Sequence, residues 1–130
     1  MEKIIGIDVG LKRIGVAFSN GSVVVPLPAI IRKNRNQAAN DTMKIINEYK
    51  ADTLVVGLPL TNEEMQRRIR HFVSLLPFEG KIVFVDESYT SAEVEEEIKG
   101  VIKHKKDGTI DSLVAKKLIE NYLSNNSVSS

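Results

Sequence analysis

Residues 3–9 read Lys-Ile-Ile-Gly-Ile-Asp-Val, a near-continuous apolar run interrupted by one carboxylate. Such a run predicts a strand covered on both faces. Gly10-Leu11-Lys12-Arg13 reads as a turn, and Ile14 to Ser19 as a second strand. Asn20-Gly21 then signals a tight turn with positive φ. A third strand follows over 22–31, where Pro26 and Pro28 make it an edge or irregular strand. Three strands joined by short turns predict an antiparallel meander.

Beyond residue 35 the period changes. Ala39, Met43 and Ile46 form one apolar stripe in a helix predicted over 36–49, and Thr53 to Leu58 is a buried strand ending at Pro59. Met65, Ile69, Phe72, Val73 and Leu76 have the spacing of an amphipathic helix, closed by Pro77. Lys81 to Val85 predicts a fifth strand that stops at Asp86-Glu87. Thr90 with Glu93 forms a capping box for a helix carrying Val94 and Ile98. After a basic loop over 100–110, Leu113, Leu118, Ile119 and Tyr122 define a last helix. The Ser/Asn-rich residues from Ser124 onward predict a frayed tail, which leaves 1–123 as one domain and 124–130 as a flexible end. The expected class is α/β: a five-stranded mixed sheet, three antiparallel strands then two parallel ones, flanked by helices. In such sheets sites form beyond the carboxyl ends of the parallel strands. Asp8, Gly57-Leu58-Pro59 and Glu87 all fall there.

With 130 residues, 42% hydrophobic and 27% charged, the chain has the composition of a soluble globular domain. No cysteine is present, which excludes disulfides and thiolate metal sites. The start, Met1-Glu2-Lys3, lacks the regions of a signal peptide, and no apolar stretch reaches membrane-spanning length, so a cytoplasmic protein is expected. The net charge of +1 argues against a strongly basic nucleic-acid binder, but the charges are clustered. Bases gather at Arg67, Arg68, Arg70 and His71 and again at Lys103, His104, Lys105 and Lys106, and acids at Glu93 and Glu95 to Glu97.

The sharpest chemical signal is Asp8. A carboxylate inside a buried strand is costly without a partner, and a metal ion at the strand end is the simplest one. The plainer alternative is an Asp capping the turn at Gly10. Glu87 directly follows a strand, where acids also favour the start of the next helix. Asp86 competes with it, since neighbouring strand residues point to opposite faces, and periodicity does not choose. Asp111, taken alone, reads as the N-cap of the last helix. Taken together, three carboxylates suit a pair of divalent cations that activate water for phosphodiester hydrolysis, and a set without cysteine favours Mg²⁺ or Mn²⁺. Lys12 and Arg13 beside the Gly10 turn, Lys103, Lys105 and Lys106, and, less strongly, the helix bearing Arg67, Arg68 and Arg70 are candidate phosphate contacts; solvated surface is the alternative for each. His71 and His104 read as surface residues.

The block from Gly6 to Ala17, with Val55-Val56-Gly57-Leu58-Pro59, Asp86-Glu87-Ser88-Tyr89-Thr90-Ser91 and Ile110-Asp111-Ser112-Leu113-Val114-Ala115, resembles the bacterial YqgF/RuvX family. The resemblance spans nearly the whole chain. It implies an RNase H-like fold and a metal-dependent nuclease, in a family described as maturing the 5′ end of pre-16S rRNA and earlier proposed as a Holliday junction resolvase. Position by position, it places the family's acids on Asp8, Glu87 and Asp111. That selects Glu87 over Asp86 and makes Asp111 a ligand rather than a cap.

Four places depart from the family pattern: Leu11 replaces a polar residue, Asn20 an Asp and Ser88 an Arg, and the loop after Pro59 is short. The expected activity is hydrolysis of nucleic-acid phosphodiesters, on an rRNA precursor or, alternatively, branched DNA. Two rivals belong to other classes. A phosphotransfer protein would share the Gly6-Ile7-Asp8-Val9-Gly10 loop with actin-like ATPases and sugar kinases, but would need a second domain. A non-catalytic RNA-binding assembly factor would keep the fold without cleavage. Oligomeric state is not readable from these patterns.

Overall fold

In the computed structural model, which describes residues 2–87 and 108–129, one sheet organises the molecule. Its strands are β1 (Ile4–Val9), β2 (Arg13–Ser19), β3 (Val24–Ile31), β4 (Thr53–Leu58) and β5 (Lys81–Asp86), in the spatial order β3-β2-β1-β4-β5. β1 pairs antiparallel with β2 and parallel with β4, and β4 is parallel to β5. The predicted mixed sheet is therefore the observed one, with the proline-bearing β3 at its edge.

Local chemistry explains the punctuation. Asn20 Oδ1 accepts from the N–H groups of Ser22 and Val23 at 3.0 and 3.1 Å, and Gly21 takes φ +95°, so the turn forms where the Asn-Gly pair predicts it. Helix α1 (Arg35–Glu48) opens on a capping box between Asn34 and Gln37, and α2 (Glu63–Ser74) on Asn62, whose side chain accepts from Met65 N–H. The β4–α2 connection is as short as the sequence predicts, with Asn62 N–H bonded to Pro59 O at 2.9 Å.

Alternation along β1 gives the sheet two different faces. Ile5, Ile7 and Val9 join a core with α1 and α2, including Ile46, Ile69 and Phe72. Ile4 faces the last helix, α3 (Thr109–Ser129), through Ala115, Leu118, Ile119 and Tyr122. On that second face a row of glycines lets α3 settle against the strands. A Cβ on Gly6 would stand 2.6 Å from Ile119 Cγ1, and one on Gly57 2.8 Å from Leu118 Cδ1. At Gly15 a Cβ would overlap the Asp111 carbonyl itself.

Two expectations differ from the structure. α3 begins at Thr109, so Asp111 lies inside the first turn rather than at the N-cap. The approach over Gly15 and the bond from Ser112 N–H to Gly108 O at 3.0 Å start the helix earlier than side-chain pattern suggests. At the other end the backbone stays helical to Ser129, across the stretch whose composition predicts a tail from Ser124. The expected helix at Thr90 and most of the basic loop lie outside the described residues.

Candidate active site

Asp8 is the fifth residue of β1, and alternation turns its side chain to the α3 face near the carboxyl end of the sheet. Glu87 follows β5, with its N–H bonded to Leu58 O at 3.0 Å, which carries the β4–β5 pairing one step past the strand. The Glu87 side chain lies over Gly57: a Cβ there would come within 2.9 Å of Glu87 Oε2. Gly57 thus keeps open the path by which Glu87 reaches inward, and the Asp8 and Glu87 carboxyls share a hydrogen bond. Of the two acids that end β5, the one facing Asp8 is Glu87.

Asp111 arrives from α3. Gly15 is the register partner of Asp8, and its missing Cβ brings the Asp111 backbone down onto β2 beside Asp8. Ser112 fixes this seat by accepting from Val16 N–H at 3.1 Å, next to the register shift between Ile14 and Val16 in the β2–β3 ladder. The Asp111 carboxylate turns to Arg13, whose Nε donates to Oδ2 at 2.9 Å. Both partners are about one-third exposed, so the pair sits at the rim rather than in the interior.

The electrostatic result is an acid under pressure. Burial first, then the shared hydrogen bond and the charge of Glu87, and last the charge of Asp111, push the Asp8 carboxyl well above its ordinary range. Two carboxyls in hydrogen-bond contact require one of them to be protonated. A cation replacing that proton would be held by two oxygen donors of the type hard divalent ions prefer. The donor set fits Mg²⁺ or Mn²⁺. Among the described residues, however, no three His, Cys, Asp or Glu side chains already form a group able to hold a metal ion, and Asp111 is engaged by Arg13.

The predicted phosphate contacts divide three ways. Lys12 is exposed on the turn, Arg13 is committed to Asp111, and Lys103, Lys105 and Lys106 lie outside the described residues. Leu11, where the family pattern has a polar residue, is 64% exposed.

A feature that the sequence showed only in part lies around the same edge, on the α1–α2 face. A cleft of about 450 Å³ runs between α1, α2 and the β1–β2 turn, lined by Arg32, Arg35, Arg67 and Arg68. The cluster in α2 was visible as sequence, but Arg32 and Arg35 join it only through the fold.

Comparison with known proteins decides the family. The family described as "RuvX: Holliday junction resolvase" matches residues 2–125. This chain belongs to the RuvX family. A relative from Sulfurovum sp., named "Putative pre-16S rRNA nuclease", is 51% identical over 126 residues, covering 94% of this chain and 98% of the relative. A Campylobacter lari protein of the same name is 53% identical over 117 residues, covering 87% and 91%.

Among solved structures, Thermus thermophilus RuvC in complex with a Holliday junction superposes with TM-score 0.64 at 10% identity, covering 98% of this chain and 96% of that one. The Fowlpox virus resolvase bound to junction DNA gives 0.59 at 12% identity, with 95% and 98% covered. At such identities these likenesses concern the fold, and the fold is the RNase H-like one shared by this RuvX chain. No helix among the described residues is long and apolar enough to cross a membrane.

Proposed function

We propose that this RuvX protein is a divalent-metal-dependent nuclease that hydrolyses phosphodiester bonds at Asp8, Glu87 and Asp111, with the 5′-extended precursor of 16S rRNA as its substrate in the cytoplasm. The observation that carries the reading is the hydrogen-bonded Asp8–Glu87 pair at the carboxyl edge of the sheet, with Asp111 near enough to act on Asp8. An RNase H-like fold and relatives named for the maturation of pre-16S rRNA support the reaction class and the substrate.

In this reading Asp8 and Glu87 would hold the cation, which would take the place of the proton they share. Asp111 completes the set by rotating from Arg13 toward the pair. Mg²⁺ or Mn²⁺, bound as a pair in the arrangement proposed, would supply the chemistry of water activation and of charge neutralisation at the leaving oxygen. The guanidinium of Arg13, released or shared by Asp111, turns its fork to a non-bridging phosphate oxygen. Lys12 meets a flanking phosphate from the exposed turn, and Lys103, Lys105 and Lys106 do so from the basic loop. Gly57 and Gly15 keep the approach of Glu87 and Asp111 unobstructed.

A second reading, resolution of a four-way DNA junction, is favoured by the description of the matching family. The discriminating experiment incubates purified protein and Asp8→Asn with a 5′-extended rRNA precursor and a four-way junction, with Mg²⁺ or Mn²⁺ and with chelator. Metal-dependent cleavage of the precursor that is lost in Asp8→Asn is the expected result. Junction cleavage alone would establish the second reading. RNA binding without cleavage, unaffected by chelator or by Asp8→Asn, would overturn both in favour of a non-catalytic assembly factor.

A further inference from the structure

The arginine cleft is built with positive charge that the described residues do not balance. Its lining places Arg32, Arg35, Arg67 and Arg68 around a single carboxylate, Glu64, which already accepts from Arg68 Nη2 at 3.0 Å. Arg35 stands at the first position of α1, where the helix dipole disfavours a cation, and that first turn holds no acid. Its Nη1 lies 3.4 Å from His71 Nε2, a contact in which the guanidinium donates to the ring nitrogen and gains no negative charge. Arg32 is the fixed wall. Its Nη1 donates to Gly10 O at 2.7 Å and its guanidinium lies 5.2 Å from the Phe72 ring centroid. Burial and the charge of Arg35 both press Arg32 below its ordinary pKa, as expected of cations gathered without a counter-ion.

Location indicates what the counter-ion is. Val9 and Leu11 line the cleft, and they flank the strand end that carries Asp8. Asp8 faces α3, while Val9 faces α1 and α2. The acids and the arginines are therefore on opposite faces of the same carboxyl edge, separated by the Gly10 turn whose carbonyl Arg32 holds. A chain lying across this edge passes both. Guanidinium forks match phosphate oxygens in pairs, and the exposed Leu11 offers apolar surface to a sugar or base.

We propose that the α1–α2 cleft grips a backbone phosphate flanking the phosphodiester held at Asp8 and Glu87, with Arg35 and Arg67 as the exposed donors and Arg32 as the wall. The inference rests on the nuclease reading and adds a second anchor on the opposite face of the sheet. The shared ligand chemistry is a phosphodiester backbone, which either an RNA precursor or a DNA junction supplies.

The test measures binding of a labelled 5′-extended rRNA precursor and of a four-way junction, in chelator, over a range of salt. The proteins are wild type, Arg35→Gln/Arg67→Gln, and the charge-matched control Lys3→Gln/Lys44→Gln. All four replaced residues are exposed, and the control pair lies toward the other end of the sheet and of α1. The cleft variant should bind about tenfold more weakly or worse, and its salt slope should fall by about 1 per lost phosphate contact, while the control holds the wild-type slope. Under cleavage conditions its KM should rise more than its kcat falls. Wild-type slope and affinity in the cleft variant would overturn the proposal, whichever nucleic acid is bound. Cleft-dependent binding without any metal-dependent cleavage would overturn the nuclease reading alone. A wild-type protein that binds neither nucleic acid would overturn both.

Discussion

At the amino end of the sheet the Glu2 carboxylate accepts from Tyr122 Oη at 2.9 Å and from Thr53 Oγ1 at 2.6 Å, and Lys81 Nζ donates to the same Tyr122 hydroxyl at 3.2 Å. At the carboxyl end Asp8 meets Glu87, a second acid, with Asp111 adding charge of the same sign. One strand, β1, links the two ends. The same residue class is satisfied by donors in the first place and crowded by its own kind in the second. Three polar neighbours satisfy the Glu2 end of the sheet, whereas Asp8 is kept at a cost to the metal-free fold. An arrangement that does not serve stability is the physical ground for proposing this end of the sheet as the site of chemistry.

The contrast breaks most visibly if Asp8 is removed. Asp8→Asn should lower the rate of metal-dependent cleavage on the order of 10³-fold, about 4 kcal/mol of transition-state stabilisation, measured in single-turnover assays. Equal rates would remove the carboxyl end from the mechanism.

Gly15→Ala comes next, since its Cβ would overlap the Asp111 carbonyl and force α3 off β2. A stability loss of about 3 kcal/mol in urea unfolding is expected, together with loss of cleavage. At Gly57 the obstructing atoms are side-chain ends of Leu118 and Glu87, which move more easily. Gly57→Ala should therefore impair activity more than stability.

The pH dependence sharpens the comparison. Because the folded protein raises the Asp8 pKa, its contribution is fully present below the ordinary carboxylate value and is lost as pH rises through the raised value. Metal-free protein should thus lose stability on going from mildly acidic to alkaline pH. Asp8→Asn should flatten that trend and raise Tm at pH 8 by about 5 °C, read by calorimetry in chelator. An unchanged profile would mean that Asp8 is not under pressure.

The smallest effect belongs to the satisfied end. Tyr122→Phe deletes the hydroxyl between Lys81 and Glu2 and should cost about 1 kcal/mol with no change in cleavage rate.

Most of the fold was legible because its signals are local. The apolar run of β1, the Asn20-Gly21 turn, the prolines of β3 and the helical spacing in α2 each constrain a few neighbouring residues. Asp8 was legible for the same reason: a carboxylate within Ile4 to Val9 stands out without knowledge of any partner. Glu87 was not separable from Asp86 by period, because the residue past a strand end is oriented by what it packs on, here Gly57. Asp111 reads as a cap because the closeness of α3 to β2 depends on Gly15, and the Ser112–Val16 bond that seats it spans 96 residues. Arg13, assigned in sequence to a phosphate, is found on Asp111, a pairing 98 residues apart that no local pattern encodes. The arginine cleft was half legible, as a cluster in α2, and became a site only when β3 and α1 delivered Arg32 and Arg35 to it.

The central claim is that Asp8 and Glu87 crowd each other because a divalent cation belongs between them. The most direct measurement is titration of metal-free wild type and Asp8→Asn with Mn²⁺ at neutral pH, followed by calorimetry and by the shift in Tm. The account predicts saturable binding with proton release and a rise in Tm for wild type, and loss of both in Asp8→Asn. Identical binding and identical Tm shifts in the two proteins would contradict it.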